Sequence, residues 1–154
     1  MQSSLSNHTE RLRSAKLKVT KARQELLDNL EKFSQPFTAD DVYDSLMLNG
    51  GEVHRSTVYR DITAFARSGI LNELSIHGRN GHYYELDDGS HHHHFICKEC
   101  NIISSIFPEK VERALEEFAQ ELTHDGLEVE YHSLKFYGVC ALCLTSRTNS
   151  VFKH

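Results

Sequence analysis

Two Cys-x-x-Cys pairs, Cys97-Lys98-Glu99-Cys100 and Cys140-Ala141-Leu142-Cys143, constrain this chain more than any other feature. They hold all four of its cysteines, and 39 residues separate Cys100 from Cys140. A two-residue spacer lets one short loop present both thiolates to a single ion, and four thiolates make the tetrahedral site that zinc prefers. Such a site pins the ends of the intervening segment together and keeps no coordination position open, so zinc here is expected to be structural. A redox dithiol or four buried thiols are the competing readings. Directly before the first pair runs His91-His92-His93-His94, a ligand set suited to a second, more exchangeable metal. The run is internal and leads into a strand, unlike a terminal tag. Alternation along that strand sends His91 and His93 to one face, His92 and His94 to the other. One run can thus feed two sites, with Glu85, Glu112 and His132 as candidate partners; a solvated polar run is the alternative.

At 154 residues the chain has room for one medium domain or two small ones. No apolar run approaches the roughly 20 residues that span a bilayer, and the N-terminus lacks a signal-peptide apolar region. The expectation is a cytoplasmic protein with no membrane partner, where paired cysteines bind metal more often than they form disulfides. The formal charge of −5 is unevenly placed. Residues 1–86 carry 11 basic and 11 acidic side chains, residues 87–154 carry 6 and 11. Within the first 24 residues six bases (Arg11, Arg13, Lys16, Lys18, Lys21, Arg23) face one acid, Glu10, a cluster that can track phosphate or merely be a solvated helix face.

The apolar spacing predicts a helix over Leu5–Leu17. A second follows, capped by Thr20 and bearing Ala22, Leu26, Leu30 and Phe33. A third opens at Thr38 with Asp41 three residues on, and a fourth runs from about Ser56 to Arg67 with Val58, Ile62 and Phe65 inward. The period then switches to two, predicting strands at Ile70–Ile76 and His82–Leu86 around a Gly-rich loop. Three helices, a fourth, then a hairpin is the order of a winged helix-turn-helix, in which the fourth helix would enter the major groove. Its polar positions Arg55, Ser56, Thr57, Tyr59, Arg60 and Thr63 are candidate DNA contacts, since Arg pairs with guanine or phosphate and Tyr or Thr can touch a thymine methyl. Asp87–Ser90 marks a hinge. Beyond it the pattern predicts strands near His94–Ile96 and Ile102–Phe107. A helix from Pro108 to about Thr123 should bury Val111, Leu115, Phe118 and Leu122, and a long strand should run from Leu127 to Val139. The unpaired edge of so small a sheet points to dimerisation. The fold class expected is α+β, an N-terminal winged helix over residues 1–86, a hinge at 87–90, and a C-terminal α/β dimerisation domain over 91–154.

Leu17-Lys18-Val19-Thr20, Ser56-Thr57-Val58-Tyr59-Arg60, the run His91–Cys97-x-x-Cys100 and Tyr137-Gly138-Val139-Cys140-x-x-Cys143 together resemble the ferric uptake regulator family of metal-dependent transcription factors. The match covers nearly the whole chain. It implies a homodimeric repressor that binds double-stranded DNA at an inverted repeat and senses iron or zinc, or peroxide through its bound metal. It implies structural Zn(II) on Cys97, Cys100, Cys140 and Cys143, and a second site on His91, His93, Glu112 and His132. It further implies a regulatory hinge site on Glu85, His92 and His94, with Fe(II), Zn(II) or Mn(II) as the regulatory metal. Tyr59 and Arg60 match DNA-contacting positions, and Lys16 lies where a groove or backbone contact is expected.

Two positions depart from the family pattern: Pro36 stands where a histidine is common, and Ser105 where an acid is common. The hinge set is therefore incomplete, with Glu73, His77, His82 and Asp87 as candidates to complete it. The missing acid tilts away from peroxide sensing. The set of His91, His93, Glu112 and His132 lacks nothing, three imidazoles and one carboxylate. A metal-dependent enzyme or a metal-buffering module using the His-rich site is the alternative class. Neither His-Glu-x-x-His nor His-x-Glu with Pro-Cys-x-x-Cys occurs, so the chain is not expected to be an enzyme.

Overall fold

Two threonines open helices in the first unit of the computed structural model, which describes residues 2–151 and places side chains for residues 7–147. Thr20 caps α2 (Lys21–Leu30) by accepting from the Arg23 N–H at 3.3 Å. Thr38 caps α3 (Ala39–Leu48) reciprocally: the Asp41 N–H donates to Thr38 Oγ1 at 3.2 Å, and the Thr38 N–H donates to Asp41 Oδ2 at 2.7 Å. Each arrangement satisfies amide donors that a helix start leaves without partners. Thr38→Ala should therefore lower unfolding free energy by about 1 kcal/mol, read as a shift in urea midpoint at unchanged slope.

Before them, α1 (Gln2–Ser14) ends in a left-handed turn. Lys16 has φ 56, and the Leu17 N–H reaches back to the Leu12 carbonyl at 2.8 Å. That is a Schellman closure with lysine where glycine is the usual occupant. The fourth helix, α4 (Arg55–Arg67), turns Val58, Ile62 and Phe65 into the core formed with Leu12, Leu27, Leu30 and Val42. A hairpin follows, β1 (Leu71–Leu74) antiparallel to β2 (Tyr83–Leu86) in the register Leu71↔Leu86. Phe37 extends it through paired hydrogen bonds with Tyr84 at 2.9 and 2.8 Å, a link between distant segments that no local pattern announces. Helix order and hairpin are those of a winged helix, as the residue periods predict.

The boundary between two compact units falls between Gly89 and Ser90. In the second unit β3 (His93–Cys97) lies centrally, antiparallel to β4 (Ile103–Ile106) and parallel to β5 (Lys135–Gly138). The crossover to β5 carries α5 (Glu109–His124), and α6 (Ala141–Val151) starts directly after Cys140 and contains Cys143. Among the described residues no helix is long and apolar enough to cross a membrane.

Three expectations change here. The long strand over Leu127–Val139 shortens to Lys135–Gly138, because β3 runs alongside β5 only from the pair His94↔Lys135 onward. The stripe of α5 is amphipathic but no residue of it is buried: Phe118 is 54% and Val111 37% exposed, and Leu115 and Leu122 are half-buried. Leu127 and Tyr131 are exposed as well. Finally, α6 forms where the residue pattern marks nothing. Among the described residues the second unit buries only Ile96, Cys97 and Ile103 with His93 and His94, a core too small to stand without a metal or a partner surface.

Candidate metal centres and nucleic-acid interface

Cys97 is the last residue of β3, and Asn101, in the left-handed region at φ 64, turns the chain back toward β4 with its N–H on the Cys97 carbonyl at 3.1 Å. The Lys98 N–H reaches the Gly138 carbonyl at 2.8 Å, which seats this loop against the end of β5. Gly138 fits there because a Cβ would stand 3.1 Å from the Phe95 ring. Cys140 and Cys143 flank the start of α6. The four sulfurs converge: Cys97 Sγ lies 3.9 Å from Cys143 Sγ, and Cys100 Sγ 3.6 Å from Cys140 Sγ. A zinc tetrahedron with Zn–S near 2.3 Å has edges of about 3.8 Å, whereas a disulfide needs about 2.05 Å. The cage fits zinc, and the cysteines are free thiols. Backbone N–H groups of Cys100 and Cys140 pull the Cys97 thiol down to about 6, while the neighbouring thiols of Cys140 and Cys100 push Cys143 up to about 12. Crowded thiolates of this kind repel one another until a cation joins them.

The second set assembles from β3, α5 and the segment before β5. His91 Nε2 lies 3.0 Å from His132 Nε2, and each is 3.3 Å from Glu112 Oε2. His93 Nε2 contacts the other oxygen, Glu112 Oε1. Zinc–nitrogen bonds near 2.0–2.1 Å imply ligand edges of about 3.3 Å, so the four residues fit a tetrahedral divalent ion. Burial alone would raise the Glu112 carboxyl, but the His93 hydrogen bond and the neighbouring imidazoles hold it below the ordinary range. The Leu134 N–H donates to His93 Nδ1 at 3.1 Å, so the neutral ring carries its proton on Nε2 and gives it to Glu112. A metal entering through Nε2 displaces that proton, and the Leu134 contact must give.

The remaining hinge residues divide between the units: Glu85 stands on β2, His92 and His94 at the start of β3, their rings 5.0 Å apart. The pairing of His91 with His93 and of His92 with His94 follows from strand alternation. Ser105 is the register partner of His94 on β4, so the site of the missing acid is now a hydroxyl beside that imidazole. Of the candidates to complete the set, Glu73 and His82 pair with each other across the wing, and the Asp87 carbonyl accepts from Arg11.

On α4, Arg55, Ser56, Tyr59, Arg60 and Thr63 are exposed and Thr57 is half-buried. Arg55 pairs with Asp40 and lies over the Tyr43 ring at 5.3 Å. Asp40 is held below the usual carboxylate range by Arg55 and then by Tyr59, and its carboxylate in turn raises the Tyr59 phenol. Lys16 is exposed at the end of α1.

A sequence profile described as the ferric uptake regulator family matches residues 14–137. The chain belongs to the ferric uptake regulator family. It is 36% identical to the ferric uptake regulation protein of Neisseria gonorrhoeae over 134 residues, 86% of this chain and 90% of that one. It is similar to the solved ferric uptake regulator from Pseudomonas aeruginosa with manganese, at 30% identity and TM-score 0.75, covering 87% of this chain and 98% of that one. A Francisella tularensis ferric uptake regulator with iron is similar at 32% identity and TM-score 0.71, covering 83% and 95%.

Within this family member one buried contact escapes sequence reasoning. Arg23, counted above with the bases that could track phosphate, turns inward instead: its Nε donates to Asp61 Oδ1 at 3.1 Å and its Nη1 to the Lys18 carbonyl at 3.0 Å. Arg11 likewise spends its guanidinium on the carbonyls of Ile70 and Asp87. The only signal was Asp61 itself, a carboxylate between Val58 and Ile62 on the inward face of α4.

Proposed function

We infer that this chain is a metal-responsive transcriptional repressor that binds double-stranded DNA as a homodimer, with residues 1–86 reading the operator, 87–90 as hinge and 91–154 holding metal and partner. The observation that carries this reading is the second ligand set. His91, His93, Glu112 and His132 place three imidazoles and a carboxylate at ion-binding separations, in a unit distinct from the winged helix. The thiolate cage suits permanent Zn(II); the mixed nitrogen and oxygen set suits exchangeable Zn(II), Fe(II) or Mn(II). The exposed apolar faces of α5 and of Leu127–Tyr131 supply a surface for a second copy, which would set two recognition helices on successive half-sites of an inverted repeat.

Three features support α4 as the reading element. Its first turn has no side-chain cap, leaving amide donors for a phosphate; Tyr59 and Arg60 stand exposed along it; and Lys16 keeps its charge at a position where glycine would be easier. Arg60→Ala and Tyr59→Ala are each expected to weaken operator binding by about 1–3 kcal/mol if the contact is to a base, with discrimination against random duplex reduced. Fluorescence anisotropy with both duplexes measures this, and unchanged discrimination would remove the residue from readout.

Bound metal changes DNA affinity only by favouring the DNA-competent arrangement of the two units. Saturating Fe(II), Zn(II) or Mn(II) should raise operator affinity by about 5- to 150-fold over the protein loaded only at the cysteine site. Anaerobic titration of a labelled operator decides it; equal affinity with and without added metal would refute the regulatory part. The metal giving the largest change at physiological concentration identifies the ion sensed.

A further inference from the structure

We propose that His8, Asp28 and Glu31 form a further divalent-cation site, at the seam between α1 and α2 in the first unit. It is separate from the cysteine cage and from the histidine set, and it does not depend on the reading of the chain as a repressor. The His8 ring is 1% exposed, with Nε2 2.8 Å from Glu31 Oε1 and Nδ1 3.4 Å from Asp28 Oδ1. Nδ1 has no hydrogen-bond partner, although a buried imidazole nitrogen without one is costly. The two carboxylates are 43% and 42% exposed, so the group opens to solvent on the side where they stand.

Charge points the same way. Asp28 and Glu31 are three residues apart, one turn of helix, at the C-terminal end of α2, where the helix dipole is already negative and the last turn contains no basic residue. Two carboxylates there are favourable only beside a cation, and a divalent ion balances both. The division of labour follows from the distances. His8 Nδ1, whose lone pair is unused, and Asp28 would ligate; Glu31 would hold the ring by accepting from Nε2–H, the carboxylate–histidine–metal arrangement that orients a ligand and raises its basicity. Water on the open side completes the shell. One nitrogen and one or two oxygens suit Mn(II), Fe(II), Co(II) or Zn(II) over Ca(II). An ion there would lock α1 onto α2 two turns ahead of Lys16.

The test uses the full-length, zinc-loaded protein with Mn(II) as the probe. Electron paramagnetic resonance counts bound Mn(II), and the ring signals of His8 report whether the ion is at this seam. The wild type is expected to show paramagnetic broadening of the His8 ring at substoichiometric Mn(II). Asp28→Asn/Glu31→Gln should lose one Mn(II) equivalent and that broadening, and Glu31→Gln alone should weaken this site by about 10- to 100-fold. Both substitutions fall on exposed carboxylates, and far-UV circular dichroism checks that the variants fold. Equal Mn(II) counts in wild type and double variant, or a wild-type His8 signal that stays sharp at saturation, would overturn the proposal and leave the three residues as a polar clamp between α1 and α2. The wild-type spectrum alone decides the matter should the double variant fail to fold.

Discussion

Cys97→Ser is expected to unfold the second unit and leave the winged helix standing. Structural zinc contributes an apparent binding free energy of about 10–16 kcal/mol at neutral pH, coupled directly to folding, against a typical total stability of about 5–15 kcal/mol. The second unit has little else: its buried apolar residues among those described are Ile96, Cys97 and Ile103. The Cys140 N–H also donates to Cys97 Sγ at 3.3 Å, so the substitution loosens the second knuckle along with the first. Elemental analysis should find no zinc at the four-cysteine cage of the variant. Circular dichroism should show the loss of β structure and of α5 helix content, while wild-type protein treated with a strong chelator and reductant should reproduce that state. A zinc-free variant with wild-type spectra and oligomeric state would end the structural role of the cage. With the first unit still folded, the proposed reading of α4 as the DNA-contacting helix predicts that weak non-specific DNA binding persists.

Arg23→Leu should destabilise the first unit by about 3–5 kcal/mol, the ordinary cost of leaving one partner of a buried ion pair uncompensated. The Arg23 and Asp61 side chains are 17% and 7% exposed, and the stranded Asp61 would lie among the core side chains of α4. The double variant Arg23→Leu/Asp61→Leu removes both charges and should recover most of the loss, since apolar replacement of a whole buried pair is often neutral or better. Urea unfolding of wild type, both single variants and the double closes the cycle, and an interaction energy above about 1.5 kcal/mol is expected. Single variants that cost under about 1 kcal/mol and simply add would show a solvated pair of little consequence. Function should feel the pair too, because it fixes α4 to α2 and, through the Lys18 carbonyl, to the basic segment that follows α1.

Both results bear on what could be read without a structure. Thr20 and Thr38 with Asp41 were legible because a helix end is a problem of a few neighbouring amides, solved within three or four residues. The cysteine pairs were legible because a two-residue spacer already chelates. The histidine run was legible in part: alternation sorts its four rings into two pairs and Glu85, Glu112 and His132 were candidate partners, but the assignment of Glu112 and His132 to the His91 and His93 pair rested on resemblance. Nothing in their spacing from His93 selects them. The strand over Leu127–Val139 was over-read for a related reason. Its alternation is real, but a strand exists only where a neighbouring backbone accepts its hydrogen bonds, and β3 does so from Lys135 onward. The α5 stripe was rightly located and wrongly buried, because periodicity says which face is apolar and not what covers it.

The amino-acid sequence by itself determined the order of elements as far as β5, the capped helix starts, the two cysteine knuckles and the polar face of α4. Each depends on backbone hydrogen bonding or chelation over a few residues. Only the tertiary structure decided that Arg23 serves Asp61 rather than phosphate, that Phe37 joins the wing, and that His8 lies buried between Asp28 and Glu31. These partners are 20 to 47 residues apart. A charged or titratable side chain takes whichever partner packing leaves within about 3–4 Å, and that distance is set by how the helices dock, a property of the whole unit that no window of residues contains.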